Sequence, residues 1–429
     1  MTSFYNSVVR ILRFLAVACL CGVAVLCAQN ALPPGTPQAY TLPPEKLEQA
    51  KAFAFTRDLL YFASTATTLL ILALLVRFRT GPAIRNFAER VSNRSALVTL
   101  LAAAPLVFIV TVLDLPWDAW AQSVSLRYGI SLQSWPSWLW DWAKAETITL
   151  LIGTLVVAGF YWLLRRSPRR WWLWAWLASL PLTVAAVFLT PLVIDPLFNR
   201  FEPLAATHPT LVPPIEQILG RAQVAIPRDR LFEMIASDKT TALNAYVTGI
   251  GASKRVVLYD TIIKAEPPPE LMTTFGHELG HYVLNHIPKG ILFSAVVTLL
   301  GFVLCYGIVT SVLNRRAHAL DIRGPADIAS LPLFALVALS LSFLADPVAN
   351  AFSRWQEHQA DVYSLEVTAG VIPNPGAAAA RAFEIEGERD LEDPTPNRFI
   401  VFWMYTHPPV AERLRFALEY HPAVPRFVH

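Results

Sequence analysis

Long apolar segments constrain the fold of this chain more than any other feature. A membrane helix needs about 20 mostly apolar residues. Seven segments reach or approach that length, near residues 11–28, 58–77, 96–113, 147–164, 171–194, 291–313 and 330–349. Charged residues make up only 16% of the chain, against about 25% in average soluble domains. We therefore predict a mostly α-helical multi-pass protein in the lipid bilayer, with about seven transmembrane helices.

The apolar and polar segments together define a predicted domain organisation. In residues 1–29, Arg residues precede an apolar core that ends in small and polar residues, the layout of a secretory signal peptide. An uncleaved signal anchor fits this segment equally well. The further predictions are a Pro-rich extracytoplasmic spacer over 30–57, a transmembrane bundle over 58–194, a polar segment over 195–290, two transmembrane helices over 291–349 and a C-terminal polar segment over 350–429.

Basic residues are concentrated in the loops after the second, fourth and sixth predicted spans. Cytoplasmic loops of membrane proteins carry such an excess of Lys and Arg. These three loops are therefore predicted to be cytoplasmic. The polar segments 195–290 and 350–429 belong to the opposite side, so we expect both of them to be extracytoplasmic.

The first polar segment is typical of a small α/β unit. Short runs rich in Val, Ile, Leu and Phe predict strands, and a run of three Pro residues marks a helix start. The predicted elements are a helix over 213–225, strands over 231–236, 243–248 and 255–258, a helix opened by Pro267, and C-terminal helices over 353–368, 377–387 and 409–419. The charged segment 389–398 is predicted to be a loop.

One of these predicted helices carries a metal-binding pattern. His277-Glu278-Leu279-Gly280-His281 matches H-E-x-x-H, and positions i and i+4 share a helix face, so both imidazoles can reach one metal ion. Glu278 can then take a proton from a metal-bound water. Two surface histidines on a helix are the alternative, but the pattern lies directly before a membrane span. We predict one Zn²⁺ per chain at this position.

A catalytic zinc site usually has three protein ligands and an open position for water. The residues available as third ligand are His286, His318, His358, His407, Glu357 and Asp361. His318 falls in a predicted cytoplasmic loop, and His286 lies five residues beyond His281, where it points off the ligand face. Glu357 and Asp361 are four positions apart on one helix face, so Glu357 could bind zinc while Asp361 accepts a hydrogen bond from a ligand imidazole. A solvated acidic face remains an alternative for this pair.

The chain resembles a known family at several spaced motifs that occur in the same order. It is similar to the type I CaaX prenyl proteases, which are integral-membrane zinc metallopeptidases, and in particular to a prokaryotic-type member. The matching stretches are Asp114-Leu115-Pro116, residues 194–201, Asn244-Ala245-Tyr246, residues 254–261, the zinc motif with Asn285-His286, Ser353-Arg354 with Glu357 and Ala360-Asp361, and His407-Pro408-Pro409 with Glu412-Arg413-Leu414.

This resemblance implies roles for particular residues. It implies a small α/β zincin-like metallopeptidase domain that the membrane helices enclose or cap, with Glu357 as third ligand and Asp361 beside it. Asn244-Ala245-Tyr246 would lie on an edge strand that holds the substrate backbone, since an edge strand offers free N–H and C=O groups. His407 and Arg413 would lie beside the site, with His407 stabilising negative charge on the substrate.

The predicted function is a zinc-dependent membrane endopeptidase that hydrolyses membrane-associated or exported polypeptides. Residues 195–290 and 350–429 are its predicted catalytic segments, with the active site on the extracytoplasmic side. A nucleic-acid partner is excluded, because the net charge is only +3 and no Lys/Arg-rich run is interleaved with aromatics. Two alternatives are a non-enzymatic membrane protein with a structural zinc site and a metal-dependent lipid hydrolase. Residues 1–50 depart from the family's usual start, and an extracytoplasmic site would disfavour cleavage of prenylated CaaX tails, which are made in the cytoplasm.

Overall fold

A computed structural model describes residues 40–249 and 254–420 of the chain. Within these ranges 6 helices are long and apolar enough to cross a membrane: Pro44–Arg77, Ser95–Arg127, Trp135–Arg166, Trp171–Phe198, His286–Leu320 and Ile328–Thr368. Each of them contains one of the predicted spans. The first predicted span, 11–28, and the predicted signal segment 1–29 lie outside the described residues.

Helices and four short strands make up the regular structure of the described chain. The helices are α1 (Pro44–Arg77), α2 (Thr80–Val91), α3 (Ser95–Arg127), α4 (Trp135–Arg166), α5 (Trp171–Leu189), α6 (Asp195–Phe198), α7 (Leu204–Thr207), α8 (Val212–Arg221), α9 (Asp260–Ala265), α10 (Pro268–Val283), α11 (His286–Leu320), α12 (Leu331–Thr368), α13 (Pro375–Arg389), α14 (Arg398–Met404) and α15 (Val410–Glu419). The strands are β1 (Arg200–Pro203), β2 (Leu231–Ile235), β3 (Ala245–Thr248) and β4 (Arg255–Tyr259). A π-helical turn joins α5 directly to α6.

Residues 40–57 are packed, which corrects the described part of the predicted spacer over 30–57. Helix α1 begins at Pro44 and continues without a break through the predicted span 58–77. Tyr40 and Ala50 are buried in a cluster with Phe383 of α13 and Leu414 of α15. Burying this apolar surface against the C-terminal segment stabilises helix where the Pro content alone suggests an extended chain.

Two further membrane helices also continue past the predicted spans, towards the catalytic segment. Helix α3 runs on to Arg127 and α4 begins at Trp135, so each has more than 30 residues and is about 50 Å long. The turn between them docks on the chain before β3, where the Leu132 amide donates to the Lys239 carbonyl at 2.8 Å. The membrane helices thus hold the catalytic segment directly.

The four strands form one sheet in the order β1-β2-β4-β3. Strands β2 and β4 are parallel, and β1 and β3 pair antiparallel at the two edges. Three strands match the predicted ones in position, and β1 was not predicted. In the described part of the chain β3 has one sheet neighbour, so its other edge is open. Ala245 and Val247 of β3 pack in the same core as Leu279 of α10.

Helix α12 differs from the prediction because it is a single helix of 38 residues. The sequence suggests a span over 330–349 followed by a separate helix over 353–368. Pro347 lies inside the helix without ending it, and the buried face continues through Ala360, Tyr363 and Val367. The second half of α12 therefore carries its residues directly onward from a membrane span.

Two glycines let α10 approach α12 closely. A Cβ atom on Gly276 would lie 3.2 Å from side-chain atoms of Ser364 and Val367. On Gly280 it would lie 3.1 Å from Tyr363 Cδ1 and 3.2 Å from the Cα of Ala360. Both glycines face α12 at positions i and i+4 of α10, so the distance between these two helices is set by the absence of side chains here.

We therefore predict that Gly280→Ala weakens this contact. Ala favours a helix over Gly by about 1 kcal/mol, but forcing extra volume into a packed interface costs about 1–3 kcal/mol. Gly290→Ala on α11 is the matched control, because its Cβ meets nothing within 4 Å. The melting temperature in detergent and the metal content should both fall for G280A relative to G290A. Equal values for the two variants would contradict the close packing described here.

Candidate metal centre and active site

Helix α10 presents the two predicted histidine ligands. A Pro at its first turn fixes helical backbone there, and Glu270 in the same turn suits the positive end of the helix dipole. His277 and His281 then follow one turn apart, with Nε2 atoms 3.1 Å from each other. His277 is buried and His281 is partly exposed. Both rings thus direct the same nitrogen to one point.

Glu357 of α12 completes the cluster at that point. Its Oε2 lies 3.1 Å from His277 Nε2, and its Oε1 lies 3.5 Å from His281 Nε2. One donor atom from each of the three residues lies within 4.8 Å of the others. Ligand atoms of a tetrahedral site with bonds of about 2.05 Å stand about 3.3 Å apart. The three side chains therefore fit a small metal ion.

The electrostatics of the cluster favour a positive charge. Burial lowers the pKa of His277, but hydrogen bonds to the Asp361 and Glu357 carboxylates outweigh burial and raise that pKa to about 10. Glu357 Oε2 is buried without a hydrogen-bond partner of good geometry in the described residues, although His277 Nε2 is close to it. A cation between the imidazoles and the carboxylate would satisfy these groups together.

Asp361 and Arg413 hold the first ligand in place. His277 Nδ1–H donates to Asp361 Oδ1 at 2.8 Å, so the opposite nitrogen, Nε2, is left to bind metal. Arg413 of α15 donates to both oxygens of Asp361, from Nε at 3.0 Å and from Nη2 at 2.7 Å. Asp361 and Arg413 are both buried, so each needs the other as a partner.

His286 holds the second ligand, a role that the sequence interpretation missed. Its Nδ1 lies 3.0 Å from Nδ1 of His281, and its Nε2 lies 3.2 Å from Oε1 of Gln359. If His281 binds metal through Nε2, its Nδ1–H donates to His286, and the Nε2–H of His286 donates to Gln359. Asn285 between the helices has φ 57°, and this left-handed residue turns the chain so that His286 faces back to the site.

Glu278 and His407 flank the three ligand side chains. Glu278 follows the first ligand on α10, and burial raises its pKa above the ordinary range of a glutamate. His407 lies in the turn before α15, with Nε2 3.4 Å from Glu357 Oε2 and Nδ1 2.9 Å from the Thr406 hydroxyl. Its side chain is 56% exposed, so it borders open space beside the ligands.

The remaining histidines considered as ligands lie elsewhere. His318 is in the last turn of α11, at the opposite end of that helix from His286. His358 is on α12 next to Glu357 but packs its ring against Phe416, with centroids 4.7 Å apart. The predicted segment Asn244-Ala245-Tyr246 is at the start of β3, which packs on α10 through the shared core.

Two histidines and a glutamate lie beside a second glutamate, on α10 directly before one membrane span and on α12, which continues from another. This arrangement defines a membrane metallopeptidase. The sequence comparisons identify its family: the chain belongs to peptidase family M48. The model of that family matches residues 205–421, and the model described as CAAX prenyl protease N-terminal, five membrane helices, matches residues 23–200. The family resemblance inferred from the motifs is thereby confirmed.

Relatives align over most of the chain. The metalloprotease YhfN of Bacillus subtilis is 34% identical over 87% of this chain and 86% of its own length. The CAAX prenyl protease 1 homolog of Oryza sativa is 27% identical over 87% of each chain. The crystal structure of S. mikatae Ste24p has a TM-score of 0.78 at 21% identity and covers 96% of this chain and 98% of its own, which shows the same fold.

We predict that His286→Ala weakens metal binding about 10- to 100-fold, the usual cost of removing the partner of a ligand imidazole. Without His286, the His281 ring loses the acceptor for its Nδ1–H and can rotate away from the metal. The affinity is measured by competition with a chromophoric chelator. His358→Ala is the control, since His358 is on α12 but faces Phe416. Unchanged affinity in H286A would show that packing alone orients His281.

Proposed function

We propose that this membrane endopeptidase uses zinc, held by His277, His281 and Glu357. The observation that carries the proposal is the convergence of these three side chains with Glu278 beside them. Two imidazoles and one carboxylate are a common donor set of catalytic zinc, which keeps a fourth position open. A structural site would use four protein ligands, whereas the described residues bring three together.

Zinc bound here would polarise the scissile carbonyl and make water a nucleophile near neutral pH. In the proposed reaction Glu278 takes a proton from the attacking water and passes it to the leaving amine. His407, whose Nε2 is near Glu357, would donate a hydrogen bond to the charge that develops on the carbonyl oxygen.

We further propose that β3 binds the substrate as an added strand. Its outer edge is open in the described residues, and it packs on α10 beside the ligands. The Asn244 side chain accepts a hydrogen bond from the Ala245 amide at 2.8 Å, so it fixes the start of the strand. Tyr246 donates to Asp195 at 3.3 Å, which anchors the strand to the end of a membrane helix.

The proposed substrates are membrane-associated or exported polypeptides. Helix α11 begins at His286 beside the metal ligands and ends near the basic residues of the loop after the sixth span, about 50 Å away. Basic loops favour the cytoplasmic side, so the site would be extracytoplasmic. Several eukaryotic relatives are named CAAX prenyl proteases, and a prenylated CaaX peptide is therefore one of the substrates to test.

Replacing Glu278 with Gln should leave metal bound and lower kcat by at least about 100-fold, because the proton acceptor is lost. Purified protein in detergent is tested against quenched-fluorescent peptides, including a prenylated CaaX peptide, with and without a chelator. Glu384→Gln on the exposed face of α13 is the control and should keep full activity. Substantial cleavage by E278Q would reject Glu278 as the base.

A second test addresses the side of the membrane. Glu384 lies at the catalytic end and Arg169 lies in the basic loop between α4 and α5, and both side chains are exposed. Glu384→Cys should react with a membrane-impermeant maleimide in right-side-out vesicles, and Arg169→Cys only in inverted vesicles. The unmodified chain gives the background from its own cysteines. The reverse labelling pattern would place the site in the cytoplasm and make CaaX-tail cleavage possible.

A further inference from the structure

A cavity lies at the end of the helix bundle opposite the metal ligands. Its volume is about 680 Å³, within the usual range of about 300–1,000 Å³ for small-molecule sites. The lining comes from α2, the loop after it, the first turns of α3, the last turn of α4 and the loop before α12. Its charged residues are Arg85, Glu89, Arg165, Arg323 and Asp327.

Helix α2 places this cavity at the membrane surface. It is a helix of 12 residues between two membrane helices, α1 and α3. Phe78, Phe87 and Val91 are large apolar side chains in and beside it, yet they are 70%, 64% and 59% exposed. Arg79, Arg90 and Arg94 accompany them. A short helix with exposed apolar and basic groups lies in the bilayer interface, so the cavity opens at headgroup level.

Two of the three arginines in the cavity are neutralised by carboxylates. Arg85 is buried and donates to Asp327 at 2.5 Å and to the Asp321 carbonyl at 3.0 Å. Arg323 makes a bidentate pair with Glu89, at 2.5 and 2.8 Å. These pairs tie α2 to the loop before α12 and build the cavity wall.

Arg165 is different. It occupies the last turn of α4, and its Nη1 donates to the Thr99 hydroxyl at 3.1 Å. Among residues 40–249 and 254–420 no carboxylate forms an ion pair with it. Thr99 in turn donates to the Ser95 carbonyl at 2.8 Å, so the guanidinium is held by a fixed neutral group. Its remaining donors are available to an anion in the cavity.

The N-terminus of α3 adds to the attraction for an anion. The first turn of α3 contributes Ser95, Val98 and Thr99 to the cavity lining. Its N-cap residue, Arg94, makes no side-chain cap in the described structure. The first amides of a helix of 33 residues, with the positive end of its dipole, thus lie beside Arg165.

We propose that this cavity binds a phosphate group through Arg165, the Ser95 and Thr99 region and the first amides of α3. The same chemistry is offered by the headgroup of an anionic phospholipid and by free phosphate. The exposed Phe87 of α2 and Phe78 just before it favour the lipid, because they place this helix in the bilayer interface. Arg suits phosphate better than Lys, since its planar fork donates two parallel hydrogen bonds.

The test uses the full chain purified in a neutral detergent. Phosphatidylglycerol, phosphatidylcholine and inorganic phosphate are added separately, and retained ligand and the melting temperature are measured. Phosphatidylglycerol should be retained at one molecule per chain and raise the melting temperature, with phosphatidylcholine at least tenfold weaker. If inorganic phosphate binds as tightly as phosphatidylglycerol, the proposal that the phosphate belongs to a lipid is rejected, and the ligand is a soluble phosphate compound. Equal retention of both lipids, with no response to phosphate, would overturn the site.

Matched variants locate the site. Arg165→Gln should lower the affinity for phosphatidylglycerol at least tenfold, whereas the neighbouring exposed Arg166→Gln should change it less than twofold. Equal losses in the two variants would mean that net basic charge at this end attracts the lipid, and the cavity would be rejected. If R165Q fails to fold, Arg165→Lys is tested instead, because it keeps the positive charge but lacks the planar guanidinium group. R165K should then weaken lipid binding severalfold, and full affinity in R165K would also contradict the proposal.

Discussion

The close contact between α10 and α12 is the interaction on which the site depends. Neither helix contains a complete metal centre, since α10 supplies the histidines and α12 supplies Glu357 and Asp361. Gly276 and Gly280 bring the helix axes together, since a β-carbon on Gly280 would lie only 3.1 to 3.2 Å from atoms of Tyr363 and Ala360. The ligand distances of 3.1 and 3.5 Å follow from that approach. A metal bound across both helices would in turn oppose their separation, so packing and metal binding reinforce each other.

The hydrogen-bond partners of the ligands show why several distant segments must fold together. His277 is oriented through Asp361 by Arg413, which comes from the C-terminal helix α15. His281 is oriented through His286 by Gln359, which is on the same helix as Glu357. The contacts with Asp361 and His286 occupy Nδ1 of each ring and leave Nε2 directed at the metal position. Such prior orientation lowers the free energy needed to order the site on binding.

Much of this arrangement could be predicted from the sequence, because the decisive signals are local. An i, i+4 spacing on a helix places His277 beside His281 and Glu357 beside Asp361 whatever the remaining fold. His286 could not be found in this way, since helical spacing assumes an unbroken helix and the left-handed Asn285 breaks it. The sequence signal for this turn was Asn285 at the end of the helix, because Asn adopts the left-handed conformation more readily than most residues.

Long-range packing accounts for the other differences. The sequence of residues 44–57 suggests a spacer. In the structure, however, Tyr40 and Ala50 pack against residues that lie more than 300 positions later in the chain. Strand β1 has four residues, one of them Pro, and becomes a strand because β2 offers an edge. Proline disfavours the interior of a helix, so Pro347 suggests a helix end. Helix α12 nevertheless continues, because its buried face packs on α10 beyond Pro347. In each case the tertiary contact outweighs the local preference.

The two ends of the bundle differ in how they use charge, and this difference has a physical basis. At the catalytic end the buried charges of Asp361 and Arg413 pair with each other. The neighbouring side chains of His277, His281 and Glu357 fit a cation. At the other end Arg85 and Arg323 are matched, while Arg165 is held by a hydroxyl and faces open space. A buried ion pair adds little net stability, because desolvation offsets the attraction. The Arg85–Asp327 pair is therefore better understood as fixing α2 against the loop before α12, which forms one wall of the cavity. Arg165 pairs with no carboxylate of the described residues, so at the headgroup level it can exchange its solvent for a phosphate, which is the partner that the membrane itself supplies.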